Sequence, residues 1–174
     1  LGFIVVAEVS RKRNWPSLSA HAKIAIAYTA ILIALATALF WALEASNMGT
    51  LGRLSPGRAL ACAYFQAVTP RTAGFSMFAQ EQMRTPSILL TSVLMFIGAS
   101  PGGTGGGIKT TTVAILFALL RALSRGTQEV THFERRIPPS TVNRAVGLTV
   151  LAGALVVAAT TSLMITEHLI FPLT

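Results

Sequence analysis

Two short stretches hold the residue types from which chemistry could be built. The first is "SPGGTGGGIKTTT", Ser100 to Thr112, which places five glycines in the six positions Gly102 to Gly107 and one lysine, Lys109, just after them. Glycines ahead of a lysine and hydroxyl residues are the composition of a phosphate cradle, whose backbone N–H groups bind phosphate oxygens while the lysine reaches the outer phosphates. The spacing argues against a cradle. Gly102 and Gly107 stand as such a loop requires, but Ile108 separates Gly107 from Lys109. The preceding "SILLTSVLMFIGAS" is also too long for a usual strand. The second stretch is "TPRTAGFS", Thr69 to Ser76, in which small and polar residues and Arg71 surround the single glycine Gly74. Backbone carbonyls in a run of this kind can replace the water around a permeating cation. Elsewhere no nucleophile stands with a base, so an enzyme is not expected.

The elements that must position these stretches are apolar. The chain is 52% hydrophobic and 11% charged, against roughly 25% charged in ordinary soluble domains, and its mean hydropathy is positive. Ile24 to Leu43 runs 20 residues without a charge, Ala145 to Thr166 runs 22, and Thr85 to Ile108 runs 24 with Gly and Pro gathered at its end. About 20 helical residues cross a hydrocarbon core of roughly 30 Å. A soluble helix would show charges on its outer face. The expected class is therefore an all-α membrane protein.

The net charge of +8 reads as membrane topology and not as a nucleic-acid surface. Basic residues gather before the first span (Arg11, Lys12, Arg13, Lys23) and between the second and third (Arg121, Arg125, Arg135, Arg136, Arg144), with Arg53, Arg58, Arg71 and Arg84 in the connection between the first two. The positive-inside rule puts the two richer segments in the cytoplasm. Spans one and two then run in opposite directions. The apolar run Ala59 to Val68, opened by Pro56 and closed by Pro70, is too short to cross and must dip in and return to the same side. The resulting order is span (22–44), short pore helix (56–69), filter loop (71–76) and a second span (86–123). This is the span–pore-helix–filter-loop–span repeat of potassium-channel type.

Within that second span, Pro101 and the glycines predict a break: helix from Pro86 to about Ser100, an irregular loop from Pro101 to about Thr110, and helix again to about Leu123. A surface for close helix packing accounts for one or two glycines but not for this density. Irregular backbone at membrane depth must line a cavity or be buried in protein. Residues 1–20 read as the end of a preceding repeat and a cytoplasmic link, 21–124 as a complete repeat, 125–142 as a cytoplasmic link, and 143–174 as the first span of the next repeat. The chain reads as a fragment of something longer, and the lone Cys62 permits no internal disulfide.

"TPRTAGFS" followed by "FIGASPGGTGGGIKTTT" closely resembles the third repeat of the KtrB family, the ion-conducting subunits of bacterial Ktr potassium uptake systems. The wider Trk/Ktr/HKT superfamily carries four such repeats in one chain. "IKTTT" favours the Ktr side over the TrkH branch. The resemblance covers most of the chain: "LGFIVVAEV" is similar to the end of the second repeat, and Asn143 to Thr174 to the beginning of the fourth. It implies that Thr72, Ala73, Gly74 and Phe75 form the ion filter, with potassium held by the carbonyls of Thr72, Ala73 and Gly74. It also implies that Pro101, Gly102, Gly103, Thr104, Gly105, Gly106, Gly107, Ile108 and Lys109 form an intramembrane gating loop beneath the filter. A single glycine, where potassium channels carry TVGYG, implies weaker selectivity. The family further implies a homodimer in the bacterial cytoplasmic membrane, a nucleotide-binding cytoplasmic ring of KtrA type as partner, no cofactor, potassium as substrate and sodium as a candidate activator.

Potassium uptake through a channel-like pore is thus the leading expectation. The alternative is a cation-coupled secondary carrier that holds its substrate at a discontinuous helix. Lys109 reads either as a functional intramembrane charge or as a side chain snorkelling to the surface. Arg71 reads as tuning the entrance or, better, as bracing the loop through carbonyl hydrogen bonds, since a cation in the path repels the ion. His21, His132 and His168 have no metal-ligand spacing and read as surface or interface residues. Glu44, Glu81 and Glu167 are expected at solvated outer positions, and Met48, Met77 and Met83 as packing residues.

Overall fold

A computed structural model describes residues 2–12, 14–71, 73–103, 105–126, 131–132 and 135–170, with side chains for all of these but 131–132, 135–136 and 167–170. Thr72 of the expected filter and Thr104 of the expected loop lie outside the described residues, as do Arg13 and the side chains of His132, Glu167 and His168. The elements are α1 (Phe3–Lys12), α2 (Ala20–Glu44), α3 (Pro56–Val68), α4 (Thr85–Phe96), α5 (Thr110–Ser124), a two-residue antiparallel pair β1 (Thr131–His132) and β2 (Arg135–Arg136), and α6 (Pro139–Ile170). Single 3-10 turns lie at Trp15–Ser17 and Gln80–Gln82.

The chain forms two compact units, Leu1–Ala114 and Ile115–Thr174. The division falls inside α5. The reason is local packing: Ala118 and Ala122 are buried with Val142, and Ile115, Leu119 and Ile137 pack around them.

In the first unit α2 is uncharged from Ile24 to Leu43, with a mean hydropathy of 2.2 over its most apolar 18 residues, which makes it long and greasy enough to cross a bilayer. Ser19 caps it, its Oγ accepting the Ala22 N–H at 3.2 Å. The Glu8 carboxylate of α1 holds that cap in place by accepting both the Ser19 N–H and O–H at 2.7 Å. Helix α3 starts at Pro56, whose fixed φ suits a first helical position, and presents Ala59, Ala63 and Ala67 at four-residue spacing. These small side chains are buried with Ala36 and Phe40 of α2, Leu51, Met83 and Leu94, so that the backbones of α2 and α3 lie close.

Helix α4 ends at Phe96, short of the expected Ser100. Ile97 leaves the helix to form a parallel bridge with Ile108. The Ile108 N–H takes the Phe96 carbonyl at 3.0 Å, and the Gly98 N–H takes the Ile108 carbonyl at 3.0 Å. The returning chain thus satisfies backbone groups that a continuing helix would have used.

In the second unit α6 spans 32 residues. It begins at Pro139, ahead of the expected Asn143, because proline is a favoured opener. Its apolar window has a mean hydropathy of 2.1 and none of it is buried within this chain.

Candidate functional site

The chain between α2 and α4 makes a closed excursion. Glu44 ends α2 and is only 3% exposed. Its Oε2 accepts Asn47 Nδ2 and Thr50 Oγ1, both at 2.6 Å. Its Oε1 accepts the Arg84 N–H at 2.9 Å and the Ser87 hydroxyl. Arg84 is the N-cap of α4, so the chain leaves α2 at Glu44, passes through α3 and the TPRTAGFS segment, and returns to the same carboxylate. Further on, the Ser100 hydroxyl meets Thr29 Oγ1 of α2 at 3.2 Å. Advancing past α4 therefore moves back along α2, and the two run antiparallel.

These contacts correct the expectation that Glu44 is solvated. It is a buried carboxylate with four donors, and Glu81, by contrast, is exposed. The methionines divide as well: Met83 packs in the core, while Met48 and Met77 are 63% and 48% exposed in this chain.

Between those fixed ends, α3 hands over to the candidate filter. The Thr69 carbonyl accepts the Ala73 N–H at 3.1 Å and the Gly74 N–H at 3.3 Å. Gly74 has φ +75°, and a Cβ there would meet nothing within 4 Å. Glycine is thus required by the left-handed backbone and not by crowding. Phe75 is largely exposed.

The glycine-rich loop is built tightly at one end and loosely at the other. At Gly98 an added Cβ would lie 1.5 Å from the Gly106 carbonyl oxygen, an approach only glycine allows. Gly107 combines φ +73° with no room for a side chain, since an added Cβ would lie 2.7 Å from the Phe96 carbonyl oxygen. Lys109 Nζ turns back on its own loop and donates to the Gly105 carbonyl at 2.6 Å. Ser100 sits between Thr29 and Thr110, with its Oγ 3.2 Å from each hydroxyl oxygen. From the other side, the Phe3 N–H donates to the Gly102 carbonyl at 3.1 Å.

The structure brings the two stretches together. Gly74, Phe75 and Ser76 on one side and Gly106 and Gly107 on the other line a cavity of about 420 Å³, to which Gln66 of α3 also contributes. Gln66 is buried, and its Oε1 has no partner among the described residues. Arg71 spans the same gap by another route, its Nη2 donating to the Gly98 carbonyl at 3.1 Å. Arg71 thus makes a carbonyl hydrogen bond of the kind expected of a brace, although the carbonyl it reaches lies at Gly98, two residues ahead of the other stretch. Among the described residues no three His, Cys, Asp or Glu side chains gather at one point. Sequence reasoning missed Glu44 and Gly98. Glu44 carried a weak signal, as an acid directly after an uncharged span, and Gly98 carried none apart from its neighbours.

Residues 17–168 match the TrkH family, described as cation transport protein. The chain belongs to that family. It is also similar to a Ktr system potassium uptake protein B of Vibrio alginolyticus, 37% identical over 173 residues, which is 98% of this chain and 38% of the relative. A Ktr system potassium uptake protein B of Bacillus subtilis (strain 168) is 38% identical over 168 residues, 97% of this chain and 38% of the relative. A potassium/sodium uptake protein NtpJ of Enterococcus hirae is 35% identical over 167 residues. The resemblance to the Ktr branch is thus shown for nearly the whole of this TrkH-family chain, which spans a little over a third of the length of these relatives.

Proposed function

We propose that this chain supplies one pore-lining repeat of a potassium uptake protein in a bacterial cytoplasmic membrane. Thr72 to Phe75 present carbonyls to the ion, and the Pro101–Lys109 loop gates the path beneath them. The observation that carries this reading is the excursion closed at Glu44, with Gly74 facing the glycine-rich loop across a shared cavity. A segment that leaves and rejoins one end of a membrane-crossing helix is re-entrant, and irregular backbone at that depth is stable only against protein or water. Carbonyl dipoles at Gly74 would substitute for the hydration of a monovalent cation.

The loop suits a gate because it adds little apolar packing, so that two arrangements can differ by only a few kcal/mol. The relatives' names, proteins B and D of a Ktr system, support a partner subunit, and we place a KtrA-type nucleotide-binding ring on the cytoplasmic side and a second copy of the membrane subunit beside the first. Sodium acts as an activator in this reading.

Flux of potassium into vesicles holding the full-length protein tests the proposal. Uptake down the potassium gradient is expected, and deletion of Gly103 to Gly106 should raise it without loss of expression. Absence of potassium flux, or a fixed stoichiometric coupling to a second ion, would overturn the channel-like reading in favour of a carrier.

A further inference from the structure

We propose that Arg71 is a positioning residue that links the filter segment to the glycine-rich loop, so that a change in the loop is felt as a change in cation selectivity. The inference rests on the reading of those two segments as filter and gate.

Arg71 is held at both ends. Its own N–H donates to the Val68 carbonyl at 3.2 Å, which fixes its backbone to the end of α3, directly before the Thr72 to Phe75 run. Its guanidinium reaches 27 residues along the chain to the Gly98 carbonyl. Gly98 in turn cannot shift alone. Its N–H is bound to the Ile108 carbonyl, and its Cα sits so close to the Gly106 carbonyl that no side chain fits. A displacement of Gly105 to Lys109 therefore carries Gly98 with it, and Gly98 carries the Arg71 side chain. Because Gly74 and Gly106 border one cavity, the two segments are neighbours across open space. The Arg71 side chain reaches across to Gly98, and Gly98 is in turn bonded to Ile108 of the loop.

The chemistry favours arginine for this work. A guanidinium offers five donors in a planar fork, stays charged, and can hold a carbonyl while keeping donors for another acceptor. Here Nε is buried and has no partner among the described residues. The link is accordingly unsaturated, and the guanidinium has a donor ready for a new acceptor when the loop moves. Binding a loop carbonyl also gives the positive charge a partner away from the filter carbonyls, which leaves those carbonyls for the ion.

A double-mutant cycle on the full-length protein in vesicles tests the link. The ratio of potassium to sodium uptake is measured for wild type, Lys109→Gln, Arg71→Gln, Arg71→Lys and the double variants. Lys109→Gln frees the Gly105 carbonyl and should shift the ratio by about fivefold. In an Arg71→Gln background the same change should leave the ratio unmoved, because the connection is already cut. Arg71→Lys retains a donor of similar reach and should keep part of the response. It also carries the cycle if Arg71→Gln fails to insert. A simple brace would alter expression or total flux and leave the two ratio effects additive. Additive effects, or a ratio that Lys109→Gln leaves alone in the wild-type background, would overturn the link while the filter and gate reading stands. A wild-type protein that carries neither cation would remove the functional reading, and the link with it.

Discussion

Glu44 and Arg84 each cap the helix that the other one bounds. The Glu44 carboxylate takes the Arg84 N–H and the Ser87 hydroxyl at the start of α4. The Arg84 guanidinium donates to the Leu43 carbonyl and to Ser46 Oγ, both at 3.0 Å, at the end of α2. A negative group at a helix N-terminus and a positive group at a C-terminus are each favourable to the helix dipole. The reciprocal pair pins the two ends of the excursion that carries the candidate filter.

Glu44→Ala should therefore destabilise the protein by about 3 kcal/mol, since it leaves several buried donors without an acceptor. Glu44→Gln keeps the shape and should lose less. Glu81→Ala, at an exposed position, should stay within about 0.5 kcal/mol. Thermal unfolding of the full-length protein in detergent ranks the three, and equal midpoints for Glu44→Ala and Glu81→Ala would contradict the role given to Glu44.

Gly74→Ser meets no steric obstacle but forces a side chain into a φ of +75°, at a cost of roughly 1–2 kcal/mol. The backbone should relax by turning its carbonyls away. Normal expression with a reduced potassium-to-sodium uptake ratio is expected, and an unchanged ratio would remove this segment from the filter.

Gly98 and Gly106 touch each other, yet they should respond in opposite ways. Gly98→Ala drives a methyl group into the Gly106 carbonyl, whereas a Cβ at Gly106 meets nothing within 4 Å. The first should cost about 3 kcal/mol or more, and the second within about 0.5 kcal/mol. Unfolding midpoints that are lowered equally by both substitutions would mean that the loop does not close as described.

The proposed re-entrant path is tested by cysteine labelling with an impermeant reagent in a background lacking Cys62. Met48→Cys and Glu81→Cys, on exposed residues either side of α3 and the TPRTAGFS segment, should react from one side of the membrane. His21→Cys should react from the other. Reaction of Met48→Cys and Glu81→Cys from opposite sides would make α3 part of a crossing.

Much of the helical architecture was legible because its signals are local. Uncharged runs mark α2 and α6, Pro56 stands where α3 begins, and Pro86 stands in the first turn of α4. The end of α4 was not legible. Pro101 is the breaker that the local sequence offers, but the helix yields earlier, at Phe96, to a pairing between Ile97 and Ile108 that no single residue announces. Glu44 was misplaced for a similar reason. Its donors come from Asn47, Thr50, Arg84 and Ser87, and only the folded excursion brings Arg84 and Ser87 back to it. The candidate filter was named in the sequence through its resemblance to the KtrB family, whereas the bond from Arg71 to Gly98 depends on a tertiary approach.

The bridge between Ile97 and Ile108 also sets an order of events during synthesis. Its partners are about ten residues apart, and loops of that size close on the order of 10–100 ns, while translation adds about 5–20 residues each second. The pairing can form as soon as Lys109 has emerged, well before α6 has been made. The insertion machinery then meets α4 and α5 as separate pieces of 12 and 15 residues, each shorter than the roughly 20 needed to cross. The interrupted helix is in this sense a product of local, early folding, already in place before the later segments have been made.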